Sequence, residues 1–478
     1  MPKKEKKLGI TAKKDKDFSE WYNEVVIKGE LADYSILKGF MIIKPRGYAI
    51  WEKIQSFFDP IIKNIGVKNA YFPLLIPESF FRKEAEHAKG FAPELAWVMD
   101  EEQREKYAIR PTSETIIYDS YSNWIRSWRD LPLRLNQWCN VLRWEVKQTK
   151  LFLRTREFLW QEGHCVYETE EECDKEARLY LNEYKKLCEE LLAIPVIAGE
   201  KTPKERFAGA KRTYTLEALM PDGKALQMGT SHNLGQNFAK AFNIEYLDKN
   251  ENKKTPWQNS WGFSTRLIGA LVMMHSDDNG LVLPPKIAST QIVIVPIFFK
   301  EGKEEIIKKA GEIKNKLKKY SVELDDREGY TPGWKFNEWE LKGIPLRIEI
   351  GPKDVEKNQV IVARRDNNKK EAVKIKDLDK KINEVLEDIH NSLLSKAKKF
   401  LEGNSADARS WDEFLRHIKS RKLVKTFFCG NAECEELIKD KTEGATSRVI
   451  PFDQPSKIGN CVHCKKEGKF SVYFAKAY

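Results

Sequence analysis

The cysteines of this sequence are unevenly distributed, and their spacing limits how the C-terminal part of the chain can fold. Four of the eight lie together as a Cys429-x4-Cys434 pair followed by a Cys461-x2-Cys464 pair. Four thiolates at this spacing can close a tetrahedral zinc site with no open position, which makes the site structural. Four free thiols, or a redox pair formed by the last two cysteines, would give the same pattern. We predict structural zinc here, and expect the other cysteines to be reduced, buried and apolar in character.

Length and composition place the chain among multidomain globular proteins. Its 478 residues are 41% apolar and 11% aromatic, which excludes disorder of the whole chain and suggests about three domains. The net charge of +11 favours an acidic partner such as nucleic acid. Lysine-rich and glutamate-rich compositions also arise from low-GC genomes or from adaptation to heat. No apolar run approaches the ~18 residues that span a bilayer, and the charged residues 1–17 lack the apolar region of a signal peptide. We therefore expect a cytoplasmic protein with no membrane segment and a basic N-terminal tail over residues 1–17.

Hydrophobic periodicity divides the rest of the chain into three parts. Residues 18–287 alternate amphipathic helices with strand hairpins, which predicts an α+β domain on a mostly antiparallel sheet. Near residue 288 the pattern changes to apolar strands that alternate with helices, so we predict an α/β domain over residues 288–400. Residues 401–478 would then form a small zinc-containing α+β domain.

One predicted hairpin carries the strongest functional signal. Its strands cover residues 134–145 and 156–168, and it contains the triplet Arg143-Trp-Glu145. On a strand, residues two apart point to the same face, so this arginine and glutamate would suit a ligand with an anion at one end and an amine at the other. Arg154, in the loop of the hairpin, could contact a polyphosphate. A simple ion pair between Arg143 and Glu145 would explain the same residues.

Three segments in this order resemble the motifs of the class II aminoacyl-tRNA synthetases. The first is residues 47–77, a long helix and strand with Pro73, and the second is the Arg143-Trp-Glu145 hairpin. The third is Gly262-Phe-Ser-Thr-Arg266 and the helix after it, where Thr265 replaces the glutamate that more commonly precedes the arginine. The resemblance implies a catalytic domain over residues 18–287, built on an antiparallel sheet.

Residues between these motifs narrow the resemblance to the prolyl-tRNA synthetases of the archaeal/eukaryotic type. The similar segments are FAPELAWV (91–98), RPTSET (110–115), FLRTREFLWQEGH (152–164), ERFAGA (205–210) and QMGTSHNLGQNFAKAF (227–242). The similarity runs from about residue 18 to the C-terminal tyrosine. It implies ATP with Mg²⁺, L-proline and tRNA(Pro) as partners, a homodimer, and an anticodon-binding domain over residues 288–400.

The resemblance also assigns roles to individual residues. Arg143 and Arg266 would be the catalytic cations. The proline site would be formed by Thr112, Glu114, Arg143, Trp160, Phe91, Phe207 and His232. The ATP site would be formed by Arg143, Glu145, Arg154, Thr155, Gln227, Thr230 and Arg266. Aromatic walls around one carboxylate suit a small apolar ring that carries one cationic nitrogen.

Other interpretations stay open at this stage. A glycyl, seryl, threonyl or histidyl enzyme of the same subclass is one, although the isolated pair His164-Cys165 is a poor match for the active-site zinc of a threonyl enzyme. A non-catalytic, synthetase-like scaffold that binds tRNA is another. The short segment between Glu145 and Arg266 leaves no room for a large inserted editing domain, so we expect none in this chain.

Overall fold

The computed structural model describes residues 9–81, 94–100, 102, 105–298 and 302–478. Its first part, up to residue 290, contains the helices α1 (Phe18–Lys28), α2 (Pro45–Asn64), α3 (Glu114–Trp124), α4 (Glu170–Lys186), α5 (Asn237–Ala241) and α6 (Arg266–His275). Its strands are β1 (Ala32–Tyr34), β2 (Met41–Ile43), β3 (Lys68–Asn69), β4 (Leu75–Pro77), β5 (Trp97–Asp100), β6 (Glu105–Ile109), β7 (Leu133–Leu142), β8 (Glu157–Tyr167), β9 (Ile197–Glu200), β10 (Arg212–Leu219), β11 (Ala225–Gly235), β12 (Tyr246–Leu247), β13 (Lys253–Lys254) and β14 (Trp257–Ser264).

The second part of the structure is a five-stranded α/β unit. Its strands are β15 (Ile292–Pro296), β16 (Val322–Leu324), β17 (Leu346–Ile350), β18 (Gln359–Arg364) and β19 (Lys370–Lys374), and its helices are α7 (Lys303–Lys316), α8 (Pro332–Leu341), α9 (Pro352–Glu356) and α10 (Leu378–Gly403). The strand order is β16-β15-β17-β18-β19. The first three strands are parallel and the last two are antiparallel additions. The α/β prediction for this part is confirmed.

The C-terminal part does not build a separate sheet. Its strands are β20 (Ser405–Asp407), β21 (Leu423–Phe428), β22 (Ala445–Pro451) and β23 (Phe470–Lys476), and its helices are α11 (Trp411–Lys419) and α12 (Ala432–Lys441). The strand β22 pairs with β9 of the first part, so one eleven-stranded sheet runs in the order β20-β21-β23-β22-β9-β10-β11-β14-β8-β7-β3. The pairs β20–β21 and β3–β7 are parallel, and the strands between them are antiparallel. The sheet is therefore mixed, and its antiparallel centre agrees with the prediction of a mostly antiparallel sheet.

Aromatic side chains fill the core beneath the centre of this sheet. The apolar residues Ile50, Ile54 and Phe58 recur at helical spacing on α2 and are buried in the same cluster as the α4 side chains. The ring of Trp261 on β14 stacks on that of Tyr180 with 3.9 Å between centroids. Trp261 faces Gly163 of β8, where a Cβ atom would lie 2.1 Å from the indole. Glycine is needed there because the indole ring lies directly across the neighbouring strand.

Two further features concern the ends of the predicted parts. The C-terminal Tyr478 packs against the large core, and its hydroxyl donates to Asp222 Oδ2 at 2.6 Å. It does not line the main cavity of the described residues. The helix α10 continues across residue 400, where the sequence pattern had suggested a boundary.

Within the ranges given above, no helix combines the length and the apolarity needed to cross a bilayer.

Candidate active site

The main cavity lies over the central strands β8, β14, β11 and β10. Its volume is about 390 Å³. The strand register puts His164, Ser260, His232 and Thr213 directly beside one another, one from each strand, and all four line the cavity. A row of polar side chains that faces a cavity is typical of a ligand site rather than of a core.

Most of the predicted site residues meet in this cavity. Those that line it are Thr112, Glu114, Arg143, Glu145, Trp160, Phe207, Gln227, Thr230, His232 and Arg266. Arg154 is exposed on the hairpin tip, and Thr155 is buried with its hydroxyl donating to the Glu157 carbonyl oxygen at 2.7 Å. Phe91 lies outside the described residues.

The position of Arg143 and Glu145 differs from the prediction. The ladder between β7 and β8 ends at the Leu142–Glu157 pair, so both residues lie in the turn that follows the strand. The backbone N–H of Val146 donates to the Arg143 carbonyl oxygen at 3.3 Å, which closes this turn. The side chains share the cavity because of the turn and not because of strand alternation. Among the described residues no salt bridge joins Arg143 to Glu145, and the guanidinium of Arg143 donates instead to the Pro111 carbonyl oxygen at 3.4 Å.

Cationic side chains are concentrated at one end of the cavity. Arg266 is the first residue of α6, and its Nε donates to the Leu153 carbonyl oxygen at 3.1 Å. Burial, together with the positive charges of Arg143 and Arg154, lowers the pKa of Arg266 to about 10. Like charges held this close together favour a polyanionic ligand, which would relieve their repulsion.

Next to these cations, the cavity combines the carboxylate of Glu114 with aromatic walls. Glu114 begins α3, is buried, and accepts a hydrogen bond from the Thr112 hydroxyl. The ring of Phe207 lies 4.7 Å from that of His232 between centroids. The Thr213 hydroxyl accepts the Phe207 backbone N–H and lies 3.0 Å from His232 Nδ1, so it can donate its proton to that nitrogen. Burial lowers the pKa of His232 to about 3, so this imidazole is neutral and adds no positive charge.

Sequence reasoning missed a buried ion pair beneath the same end. Glu162 accepts hydrogen bonds from Ser113 and from Gln137 Nε2, and its Oε2 lies 3.0 Å from His164 Nε2. Burial raises the pKa of Glu162, but the hydrogen bond and charge of His164 outweigh this and hold it below its ordinary value. For His164, burial lowers the pKa and Glu162 raises it, with a net rise. The sequence pattern that could have revealed this pair is the two-residue period of a strand, which puts Trp160, Glu162 and His164 on one face of β8.

Comparisons with known proteins agree with this geometry. The family model "tRNA synthetase class II core domain (G, H, P, S and T)" matches residues 97–275, and "Anticodon binding domain" matches residues 291–385. A proline–tRNA ligase of Alkaliphilus oremlandii is 54% identical over 485 aligned positions, covering 100% of both chains. The chain belongs to the proline–tRNA ligase family. Proline–tRNA ligase 2 of Clostridioides difficile is 52% identical over 100% of both chains, and that of Bacillus thuringiensis 50% over 99% of this chain and 100% of its own.

The C-terminal module of this proline–tRNA ligase family member also has a match. The family model "Prolyl-tRNA synthetase, C-terminal" covers residues 411–478, which include the four clustered cysteines. Their Sγ atoms all lie within 4.8 Å of one another, with 3.8 Å between Cys434 and Cys461 and 3.7 Å between Cys429 and Cys464. A tetrahedral zinc ion with Zn–S bonds of ~2.3 Å needs sulfurs ~3.8 Å apart, so the cluster fits that ion. His463 is half-buried with Nδ1 3.2 Å from Cys434 Sγ, and thus lies beside the cluster.

Proposed function

We propose that this chain is a proline–tRNA ligase that activates L-proline with ATP to prolyl-adenylate and transfers the prolyl group to the 3′ end of tRNA(Pro). One observation carries the proposal. A single cavity holds the buried carboxylate of Glu114 among aromatic walls, next to Arg143 and Arg266, which hydrogen-bond to backbone carbonyls rather than to carboxylates. The names of the similar ligases agree with this substrate.

Proline would bind at the aromatic end of the cavity. Glu114 would accept the protonated imino group, and Thr112 would orient that carboxylate through its hydrogen bond. Trp160, Phe207 and Phe91 would enclose the ring, together with the neutral imidazole of His232. A neutral histidine is useful at this position because an imidazolium would repel the substrate cation.

ATP would bind at the cationic end. Arg143 would bridge the proline carboxylate and the α-phosphate, and Arg266 and the exposed Arg154 would hold the outer phosphates. The adenosine moiety would meet Glu145, Thr155, Gln227 and Thr230. The buried Glu145 Oε2 has no hydrogen-bond partner among the described residues, which fits an amine of the nucleotide or a Mg²⁺ ion brought in with ATP. Mg²⁺ would supply neutralising charge to the phosphates.

Catalysis would follow from positioning and electrostatics. The proline carboxylate attacks the α-phosphorus in line, pyrophosphate leaves, and the terminal ribose hydroxyl of tRNA then attacks the activated carbonyl carbon. Arg143 and Arg266 stabilise the negative charge that grows on the phosphate oxygens, and no side chain has to form a covalent intermediate.

The three parts of the chain would have separate roles. Residues 18–287 would form the catalytic domain, 288–400 the anticodon-binding domain and 401–478 the zinc-binding domain. Much of the basic run of the middle domain is used internally, since Arg364 pairs with Asp366 and Lys370 with Glu349. Arg364 and Lys370 nevertheless line, with Trp339 and Arg347, a cavity of about 270 Å³ in this domain, and this concave surface would be where the domain meets RNA.

Three further properties belong to the proposal. We expect cytoplasmic localisation and a homodimer, and the exposed apolar side chains of Tyr34, Ile36, Leu37 and Ile42 on the β1–β2 hairpin suit contact with a second copy. The chain would lack editing in cis. A small apolar pocket separates close analogues by only ~1–3 kcal/mol, so alanine would be activated slowly and Ala-tRNA would not be hydrolysed.

The test of this function is ATP–pyrophosphate exchange with each of the twenty amino acids, followed by charging of tRNA. We expect strong exchange with proline, weak exchange with alanine, and transfer of proline to tRNA(Pro). Stronger exchange with glycine, serine, threonine or histidine would assign a different enzyme of the subclass. A lack of exchange with every amino acid would support a non-catalytic scaffold.

A further inference from the structure

A buried charge cluster joins the C-terminal module to the strands that carry the active site. Its members are Lys201, Glu217 and Arg448, which are 6%, 1% and 8% exposed. Glu217 Oε2 accepts from Arg448 Nη2 at 2.9 Å and from Arg448 Nε at 3.2 Å, and Oε1 accepts from Lys201 Nζ at 2.7 Å. Lys201 also donates to the carbonyl oxygen of Arg448 at 2.9 Å. Two cations from different parts of the chain therefore fix both oxygens of one carboxylate.

The cluster reaches the cavity through two hydrogen bonds. The Thr215 hydroxyl lies 3.1 Å from Glu217 Oε1, and Gln227 Nε2 lies 3.3 Å from the same hydroxyl oxygen. An ionised carboxylate can only accept, so Thr215 must donate its single proton to Glu217 and accept from Gln227. The amide of Gln227 is thereby oriented with Nε2 towards the cluster. Its Oε1 remains the acceptor for a ligand in the cavity that Gln227 lines.

The backbone is irregular at the same place. Leu216 of β10 pairs with Gly229 of β11, whereas the next residue, Glu217, pairs with Gln227, so Met228 is an extra residue in a β-bulge. Bulges next to active sites redirect side chains. This bulge puts Gln227 directly opposite Glu217, and the bulged residues line the cavity. The side-chain contacts and the bulge therefore both determine how Gln227 is oriented.

We propose that Arg448 of the C-terminal module is a positioning residue for nucleotide binding, which holds Glu217 so that Thr215 orients the Gln227 carbonyl towards an N–H or O–H donor of the nucleotide. The inference rests on the proposed function of the cavity. It gives the C-terminal module a task in the catalytic cycle, because β22 carries the arginine that completes the arrangement. The side chain of Arg448 itself does not line the cavity.

The test combines Arg448→Met with Thr215→Val. The first removes the ion pair from the C-terminal side, and the second cuts the relay while leaving Arg448 and Glu217 paired. In proline-dependent pyrophosphate exchange, we expect each to raise the KM for ATP about tenfold, as for loss of one hydrogen bond at a buried site, with the KM for proline changed less than about twofold. Arg448→Lys should recover part of the loss. The matched control is Arg416→Met, which changes an exposed arginine of the same module.

Additivity separates positioning from a structural role. If both residues act through one relay, the double variant should be no worse in KM for ATP than the poorer single variant. Multiplied effects, an unchanged KM for ATP in Arg448→Met, or equal losses for ATP and proline would overturn the inference. Calorimetric binding of a non-hydrolysable ATP analogue is measured in parallel. It keeps the inference testable if the wild type shows no proline-dependent exchange, which would instead refute the proposed function.

Discussion

Arg365 of the α/β part and Asp277, just after α6, form a bidentate ion pair. Nη1 of the guanidinium donates to Asp277 Oδ2 at 2.8 Å, and Nη2 donates to Oδ1 at 2.6 Å. The Arg365 side chain is 4% exposed and also donates to the Glu340 carbonyl oxygen at 3.0 Å. The helix α6 that precedes Asp277 begins with Arg266. One buried guanidinium therefore attaches the α/β part to the helix that carries a cavity arginine.

We predict that Asp277→Asn lowers the free energy of unfolding by about 1–3 kcal/mol. The loss should be smaller than the ~3–5 kcal/mol for a fully buried pair, because Asp277 is half-exposed. Denaturant unfolding measures it, with the exposed Asp326→Asn as the control. In a double-mutant cycle with Arg365→Met, the second substitution should lower the free energy of unfolding only slightly once the first has been made. If the two substitutions lower it by independent, additive amounts, the ion pair is contradicted.

Arg143→Ala should abolish adenylate formation while leaving the fold intact. The arginine lines the cavity between the proposed carboxylate and phosphate positions, so its loss should reduce proline-dependent pyrophosphate exchange at least about a thousandfold. Pyrophosphate-exchange kinetics measure the loss of adenylate formation, and circular dichroism tests whether the fold is retained. The substitution of an exposed arginine, Arg126→Ala, serves as a control. Exchange at the wild-type rate would refute the role.

Glu114→Gln should weaken proline binding specifically. The substitution keeps the shape of the side chain but removes the charge that would pair with the imino cation, which predicts a rise in KM for proline of about tenfold to a hundredfold. The KM for ATP should change little. Asp119→Asn, on the same helix, is the control for a general effect of charge. An unchanged KM for proline would reassign the cation site.

Stability should fall with acid because of a buried neutral histidine. Burial lowers the pKa of His275 to about 4, and its Nε2 donates to the Leu192 carbonyl oxygen at 2.8 Å. Below about pH 6.5 the unfolded chain binds a proton that the folded chain does not, so the free energy of unfolding drops by ~1.4 kcal/mol per pH unit until about pH 4. His275→Gln should reduce the wild-type difference between pH 6.5 and 5 by about 2 kcal/mol in denaturant unfolding. An identical pH dependence in both proteins would show that His275 does not titrate in this way.

The purified protein should contain one zinc ion per chain. Metal analysis should find it, and Cys461→Ser should reduce the bound zinc and the melting temperature together, because metal binding and folding of such modules are coupled. Cys188→Ala, a buried cysteine outside the cluster, should keep the metal. A zinc-free wild type with the cysteines reduced would argue for four free thiols.

Local patterns were sufficient for most of the fold. The helix α2 and the β7–β8 hairpin were predicted because their apolar spacing is visible within a short window. The clustered cysteines were predicted for the same reason, since ligand spacing is itself a local signal. By contrast, α8 was missed. Its start at Pro332, capped by the Thr331 hydroxyl, lies within the segment GYTPGW (329–334), whose Gly, Pro and aromatic residues resemble a loop.

Contacts between distant segments were beyond prediction. The turn that moves Arg143 off the strand depends on where the ladder to β8 ends. Nothing near Glu217 in the sequence indicates that its partner is Arg448, because that pairing depends on the junction of β9 with β22. The first part and the C-terminal part looked independent because each has its own local sequence pattern. In the structure they share one sheet.

The junction of β9 with β22 has a consequence for how the chain is made. The strand β9 ends at residue 200, and β22 begins at residue 445. At a synthesis rate of ~5–20 residues per second, β9 waits on the order of tens of seconds for its second neighbour. During that time it is the open edge of a nearly finished sheet, which is the kind of surface that recruits strands from other chains. For this protein, the interval between ribosomal synthesis of these two segments is when aggregation is most to be expected and when a chaperone would have the most to protect.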